Sequence, residues 1–215
     1  MLPLKLGAAR RHLRVLCIGA HSDDIEIGCA GTLLRWLGDY ERLDVTWCVL
    51  SAAGERGVEA RRSARALLKR ATSRLVLGEF EDACLPAEFR RAKAFFAGLR
   101  SQGEFDVVFT HCLHDRHQDH RMVAELTWQA WRDHLVLEYE IPKYEGDLGQ
   151  PNLFVTLPAR LARRKVEHLI KHFGSQRSKS WFSAATFEAL MRLRGVEARA
   201  DTGWAEGFYM RKATL

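Results

Sequence analysis

No stretch of this 215-residue chain approaches the ~18 consecutive apolar residues that a membrane-crossing helix needs. A membrane partner is therefore excluded. The basic N-terminus becomes apolar only where the first strand begins, so it is not expected to be a secretory leader; cleavage there would destroy that strand. Cysteine is sparse: five residues, an odd number, with no C-x-x-C pair. Cys17, Cys29, Cys48, Cys84 and Cys112 read as small buried apolar side chains in a reducing cytoplasm. The Gly-rich phosphate loop is missing too. After the first apolar run the chain reads G-A-H-S-D-D-I-E-I-G, not G-x-G-x-x-G, and two carboxylates there would repel a phosphate. The net charge of +6 comes with no aromatic-interleaved basic stripe. Arginines such as Arg10, Arg11, Arg14, Arg61, Arg62, Arg65, Arg160, Arg163 and Arg164 are scattered, as on solvated helix faces. Nucleic acid is excluded as a partner, while a positive field favours an acidic small substrate. There is no internal repeat and no low-complexity segment.

What is present is a regular alternation. With 47% hydrophobic residues, the chain can bury one sizeable core. Apolar runs over 13–20, 43–51, 73–78, 105–111 and 135–141 read as strands. Between them, helical spacing covers 29–40, 55–71, 86–102 and 120–131. Phe89, Phe95, Phe96 and Leu99 are expected on one side of the third helix. This order predicts βαβ units, hence an α/β, Rossmann-like three-layer fold with a mostly parallel sheet covered on both faces. From about residue 142 the pattern changes to a loop, a short strand (152–157), two amphipathic helices (159–172 and 183–194) and a last apolar stretch (207–212). The expected organisation is one domain over 1–215: a Rossmann-like core over 1–141, with an α+β C-terminal extension over 142–215 packed on it.

Two polar segments stand at strand ends, where open α/β sheets bind ligands. The first is "GAHSDDIEIGCAG" (19–31) and the second "THCLHDRHQDH" (110–120), which holds four of the nine histidines. If the strands before them are neighbours, both segments meet in one crevice. Imidazole and carboxylate are good zinc ligands, and a catalytic zinc keeps three protein ligands and one open position. His21 and Asp24 are three apart and can turn towards one ion, with His120 as a third ligand from across the crevice. Asp23 faces elsewhere and suits a general base that takes a proton from water. His117 suits an oxyanion stabiliser or acid, with Asp119 close enough to raise its pKa. His111 and His114 read as supporting or surface residues. The chemistry is metal-assisted hydrolysis of a carbonyl-type bond.

The stretch "AHSDDIEIGCAGTL" resembles the A-H-P-D-D-E signature of the LmbE-like, or PIG-L type, zinc-dependent N-deacetylases. "HDRHQDH" resembles their D-x-H-x-D-H signature, and "GEFEDACLP" and "WAEGF" extend the similarity over nearly the whole chain. The resemblance implies a hydrolase that removes the N-acetyl group from an N-acetylglucosamine-type amino sugar or glycoconjugate. His21, Asp24 and His120 would hold Zn²⁺, Asp23 would be the base, and His117 with Asp119 would serve the oxyanion or leaving group. Iron(II) or another divalent ion fills a His₂Asp set equally well. The alternative is an amidase of the same family acting on another N-acyl group or on a thiol or antibiotic conjugate. Three positions depart from the pattern. Ser22 replaces a proline that would have fixed φ. Glu26 follows Ile25 where many members have Glu one residue earlier. Asp115 stands where some relatives have a tyrosine, and a carboxylate there is better suited to orienting a neighbour. Glu55, Arg56, Asp82 and Asp115 are the substrate-side candidates, with Lys143 or Glu145 in the pocket wall. The partner is then a small amino-sugar molecule. Oligomeric state is open, a homo-oligomer included.

Overall fold

The computed structural model describes Leu6 and residues 12–214. Arg10, Arg11 and the rest of the basic N-terminal stretch lie outside the described residues. Five strands run parallel: β1 (His12–Gly19), β2 (Arg42–Val49), β3 (Thr72–Leu77), β4 (Val107–His111) and β5 (Leu135–Tyr139). Two more, β6 (Leu153–Thr156) and β7 (Ala205–Met210), complete a seven-stranded sheet in the order β3-β2-β1-β4-β5-β7-β6. β7 is antiparallel to both β5 and β6, so the C-terminal extension continues the same sheet. The protein is thus a mixed α/β fold with a mostly parallel sheet.

Alternation along the strands builds a core on each face. Val15, Cys17, Val45, Trp47, Val107 and Phe109 pack with helices α1 (Asp24–Asp39), α2 (Gly54–Leu67), α5 (Ala159–His172) and α6 (Ala184–Glu197). Leu16, Ile18, Cys48 and Val108 face the other way, onto α3 (Phe89–Arg100) and α4 (Gln118–Ala130). The central strands are buried on both faces, which is why they read as continuous apolar runs.

Several boundaries differ from those expected of the sequence: α2 ends at Leu67 rather than 71, α6 runs on to Glu197, and β7 covers Ala205–Met210 rather than 207–212. α1 begins at Asp24 rather than 29, because every residue from Asp24 to Leu34 is buried and no polar face exists to reveal a period. The third helix splits into a 3₁₀ turn (Leu85–Glu88) and α3. Phe89, expected inward, is 44% exposed; Ala92, Phe96 and Leu99 carry the buried stripe. α4 begins at Gln118, two residues earlier than expected. All five cysteines are free; Cys84 is half-buried and the others are buried. No described helix is long and apolar enough to cross a membrane.

Candidate metal centre

β1 and β4 are hydrogen-bonded neighbours, and the two polar segments leave their carboxyl ends side by side. The first strand runs directly into α1, with Asp23 at the N-cap position and Asp24 as the first helical residue. A tight turn closes as the backbone N–H of His21 donates to Asp24 Oδ2 (2.7 Å). That bond swings both side chains to one side. On the opposite segment, His117 is the N-cap of α4 and its Nδ1 accepts the N–H of Asp119 (3.3 Å). His120 follows on the first turn.

Three buried side chains converge. His21 Nδ1 lies 3.1 Å from His120 Nε2 and 3.4 Å from Asp24 Oδ2, and His120 Nε2 lies 3.6 Å from Asp24 Oδ1. Their remaining atoms are committed elsewhere. His120 Nδ1 is 2.9 Å from Asp115 Oδ2. His21 Nε2 is 2.9 Å from Asp82 Oδ1 and 3.2 Å from Asp119 Oδ2. With those carboxylates accepting the ring N–H groups, loss of the proton that His21 Nδ1 and His120 Nε2 share leaves two lone pairs aimed at one point. Three groups have ligand atoms within 4.8 Å of one another, His21–His117–His120, Asp24–His111–His120 and His21–Asp82–Asp119, each including His21 or His120; the last is reached through the opposite ring nitrogen of His21. His111 is fully buried, and its Nε2 accepts the N–H of Ala20 (3.0 Å) while lying 3.1 Å from Asp24 Oδ2. It thereby braces the start of α1. His114 is exposed.

The charges shape one another. Burial beside Asp24 raises Asp23 to about 6. Burial pushes Asp24 the same way, but His120, His111 and His21 outweigh it and hold this carboxyl well below the usual range. His21 is raised: burial opposes its charged form, but Asp24, Asp119 and Asp82 overcome that. Burial and His111 lower His120 to about 3, and burial with His21 lowers His117.

The Asp119 side chain accepts from His21 and from the backbone N–H of Leu85 (3.2 Å), and its charge pulls the pKa of His117 upward against the lowering by burial and His21. Asp115, expected as a substrate contact, is enclosed at 3% exposure. Asp82 and Arg56 pair with each other at the mouth, and Arg56 Nη2 is 3.5 Å from Asp23 Oδ1. Glu55 is exposed on the first turn of α2, and no ion pair among the described residues ties it to the centre. Lys143 points inward to Asp115 and Asp147 rather than forming a pocket wall, and Glu145 is exposed. Glu26 is buried and accepts a hydrogen bond from Ser63 of α2, and burial raises its pKa well above normal.

An α/β sheet thus carries, at a shared strand end, a His/Asp cluster of the donor types that a divalent cation takes. The family model for PIG-L, GlcNAc-PI de-N-acetylase, matches residues 16–131, more than half of the chain and both polar segments. The chain belongs to the PIG-L (LmbE-like) family. No curated protein sequence matches it. Among solved structures it is similar to the N,N'-diacetylchitobiose deacetylase of Pyrococcus horikoshii: 19% identity, TM-score 0.68, 92% of this chain and 83% of that one covered. It is also similar to a zinc-inhibited form of the teicoplanin deacetylase Orf2 (14%, TM-score 0.69, 91% and 97%). A third is GalB, the 4-carboxy-2-hydroxymuconate hydratase of Pseudomonas putida KT2440 (16%, TM-score 0.68, 94% and 98%). At these identities the likeness is one of fold.

Proposed function

We propose that this chain is a metal-dependent N-deacetylase that hydrolyses the acetamide of an N-acetylglucosamine-type amino sugar or glycoconjugate. The observation that carries the reading is the triangle of His21 Nδ1, Asp24 carboxylate and His120 Nε2. The two nitrogens are 3.1 Å apart, and the Asp24 carboxylate approaches them through different oxygens, Oδ2 at 3.4 Å from His21 and Oδ1 at 3.6 Å from His120. Tetrahedral ligands about 2.0–2.1 Å from a zinc ion stand about 3.3–3.4 Å apart, so the donor set fits. Two lone pairs and a carboxylate facing one another favour a cation between them. When bound, zinc supplies a Lewis acid for the amide carbonyl and brings the pKa of water towards neutrality.

The chain's own residues do the rest. Asp23 sits at the N-cap position yet makes no capping bond, and with Arg56 no nearer than 3.5 Å its carboxylate suits taking a proton from the attacking water. His117 accepts the N–H of Asp119 at Nδ1, which leaves the neutral ring's proton on Nε2. That proton serves the carbonyl oxygen as negative charge develops, and a proton then passes to the leaving nitrogen. The C–N bond breaks, giving acetate and a free amine. Asp119 orients His21 and its negative charge favours the protonated form of His117. Asp82 and Arg56, at the half-open mouth, are placed to meet sugar hydroxyls or an acidic aglycone.

The hydratase neighbour means that fold alone does not select this reaction. The family match across both polar segments supports amide hydrolysis. The antibiotic deacetylase neighbour supports the alternative of a different conjugate or acyl group. Release of the free amine from N-acetylglucosamine, N,N'-diacetylchitobiose and longer N-acyl analogues separates these substrates. Asp23→Ala should keep its zinc and lose about 10²–10⁴-fold in turnover. A near-wild-type rate with metal retained would show that Asp23 is not the base.

A further inference from the structure

The loop that follows β5 reaches into the centre from the C-terminal half. Lys143 Nζ lies 3.0 Å from Asp115 Oδ1 and 2.7 Å from Asp147, and it donates to the carbonyl of Ile141 (3.3 Å), two residues beyond the end of β5. Its side chain is only 7% exposed, and those of Asp147 and Asp115 are 6% and 3%. None of these groups is available to a substrate. Asp115 meets three donors: the His120 ring at 2.9 Å, the backbone N–H of His117 at 2.8 Å, and Lys143. Asp147 accepts the backbone N–H of Arg116 (2.6 Å), inside the same turn.

A buried carboxylate facing only a neutral ring and an amide is poorly compensated. Lys143 supplies the missing positive charge. It also bridges two carboxylates that would otherwise repel across the turn that carries His117 and His120.

We propose that Lys143 is a positioning residue for the metal centre: through Asp115 it fixes the His120 ring with Nε2 turned inward, and through Asp147 it clamps the 115–117 turn. This rests on the metal reading above. Through Lys143 and Asp147 the loop over 142–149 acts as a strut that couples the C-terminal extension to a ligand.

The test is zinc affinity by chelator competition, with the visible spectrum of the cobalt(II)-substituted protein and the melting curve of the metal-free protein measured alongside. Asp115→Asn, which keeps the shape, should weaken zinc binding about 10–100-fold, and Lys143→Met about 10-fold. Because both act through one carboxylate, the double variant should bind within about threefold of Asp115→Asn alone. The cobalt spectrum should shift in both single variants. Unchanged zinc affinity and cobalt spectrum in Lys143→Met, with only a lowered melting point, would make the residue merely structural and overturn the proposal. Fully additive losses would also overturn it, since Lys143 would then act by another route. If the wild-type chain takes up no zinc or cobalt, the metal reading itself fails and the proposal falls with it.

Discussion

Gly28 decides how closely α1 can lie on the sheet. A Cβ there would stand 2.3 Å from ring atoms of Tyr139, which is wholly buried and donates its hydroxyl to the carbonyl of Ile18 (2.6 Å). Helix propensity alone would favour alanine by about 1 kcal/mol. The clash opposes it, because neither a pinned ring nor a helix buried on every side has room to move. Gly28→Ala should therefore destabilise by about 1–3 kcal/mol in urea unfolding, and a neutral or stabilising result would show that α1 is free to shift. Nothing in the sequence marks this glycine, since its constraint comes from a residue far away in the chain. The aspartates beside it were legible for the opposite reason. Carboxylates at the mouth of a buried strand conflict with their local context, and such conflicts cluster at functional sites.

At the scale of the element, α1 is also where the extension is joined to the core. Glu206 of β7 accepts the N–H groups of Gly31 (2.8 Å) and Thr32 (2.6 Å), while Lys165 of α5 donates to the carbonyl of Ile27 (2.5 Å). The two side chains pair with each other at 2.6 Å, each 3% exposed. The ion pair thus adds a carboxylate acceptor and an ammonium donor to backbone groups of successive turns of α1. Glu206→Gln would leave the Lys165 ammonium buried without its counter-charge, and breaking such a pair from one side costs about 3–5 kcal/mol. Equilibrium unfolding checks this. A loss below ~1 kcal/mol would mean that water or another acceptor reaches Lys165. Periodicity found α5, an amphipathic helix, at its actual bounds (Ala159–His172), but it missed the first turn of α1, which has no solvent face.

For the whole molecule, the sequence showed the parallel strands and the two polar ends because each is written in contiguous residues. It was silent on what joins distant segments: the seating of β7 between β5 and β6, the bracing of Asp24 by His111, and the approach of Lys143 to Asp115. Those links determine whether residues 1–141 can stand alone. Without the extension, β5 would lose its partner β7 and present an open edge, while α1 would lose α5 and the Glu206–Lys165 pair from its buried face. Open edges and bared apolar faces lead to aggregation. His120 would also lose the Lys143 strut that stands behind its carboxylate partner. A chain ending after Ile141 should therefore show no cooperative thermal transition and no tight zinc binding, even though it keeps His21, Asp24 and His120. Calorimetry with zinc titration distinguishes the possibilities. A soluble 1–141 fragment that melts cooperatively and binds zinc as the full chain does would mean that the extension is a separate unit resting on a self-sufficient core. Failure of the fragment, rescued by adding 142–215 as a second chain, would place the stability of the metal centre in the contact between the two halves.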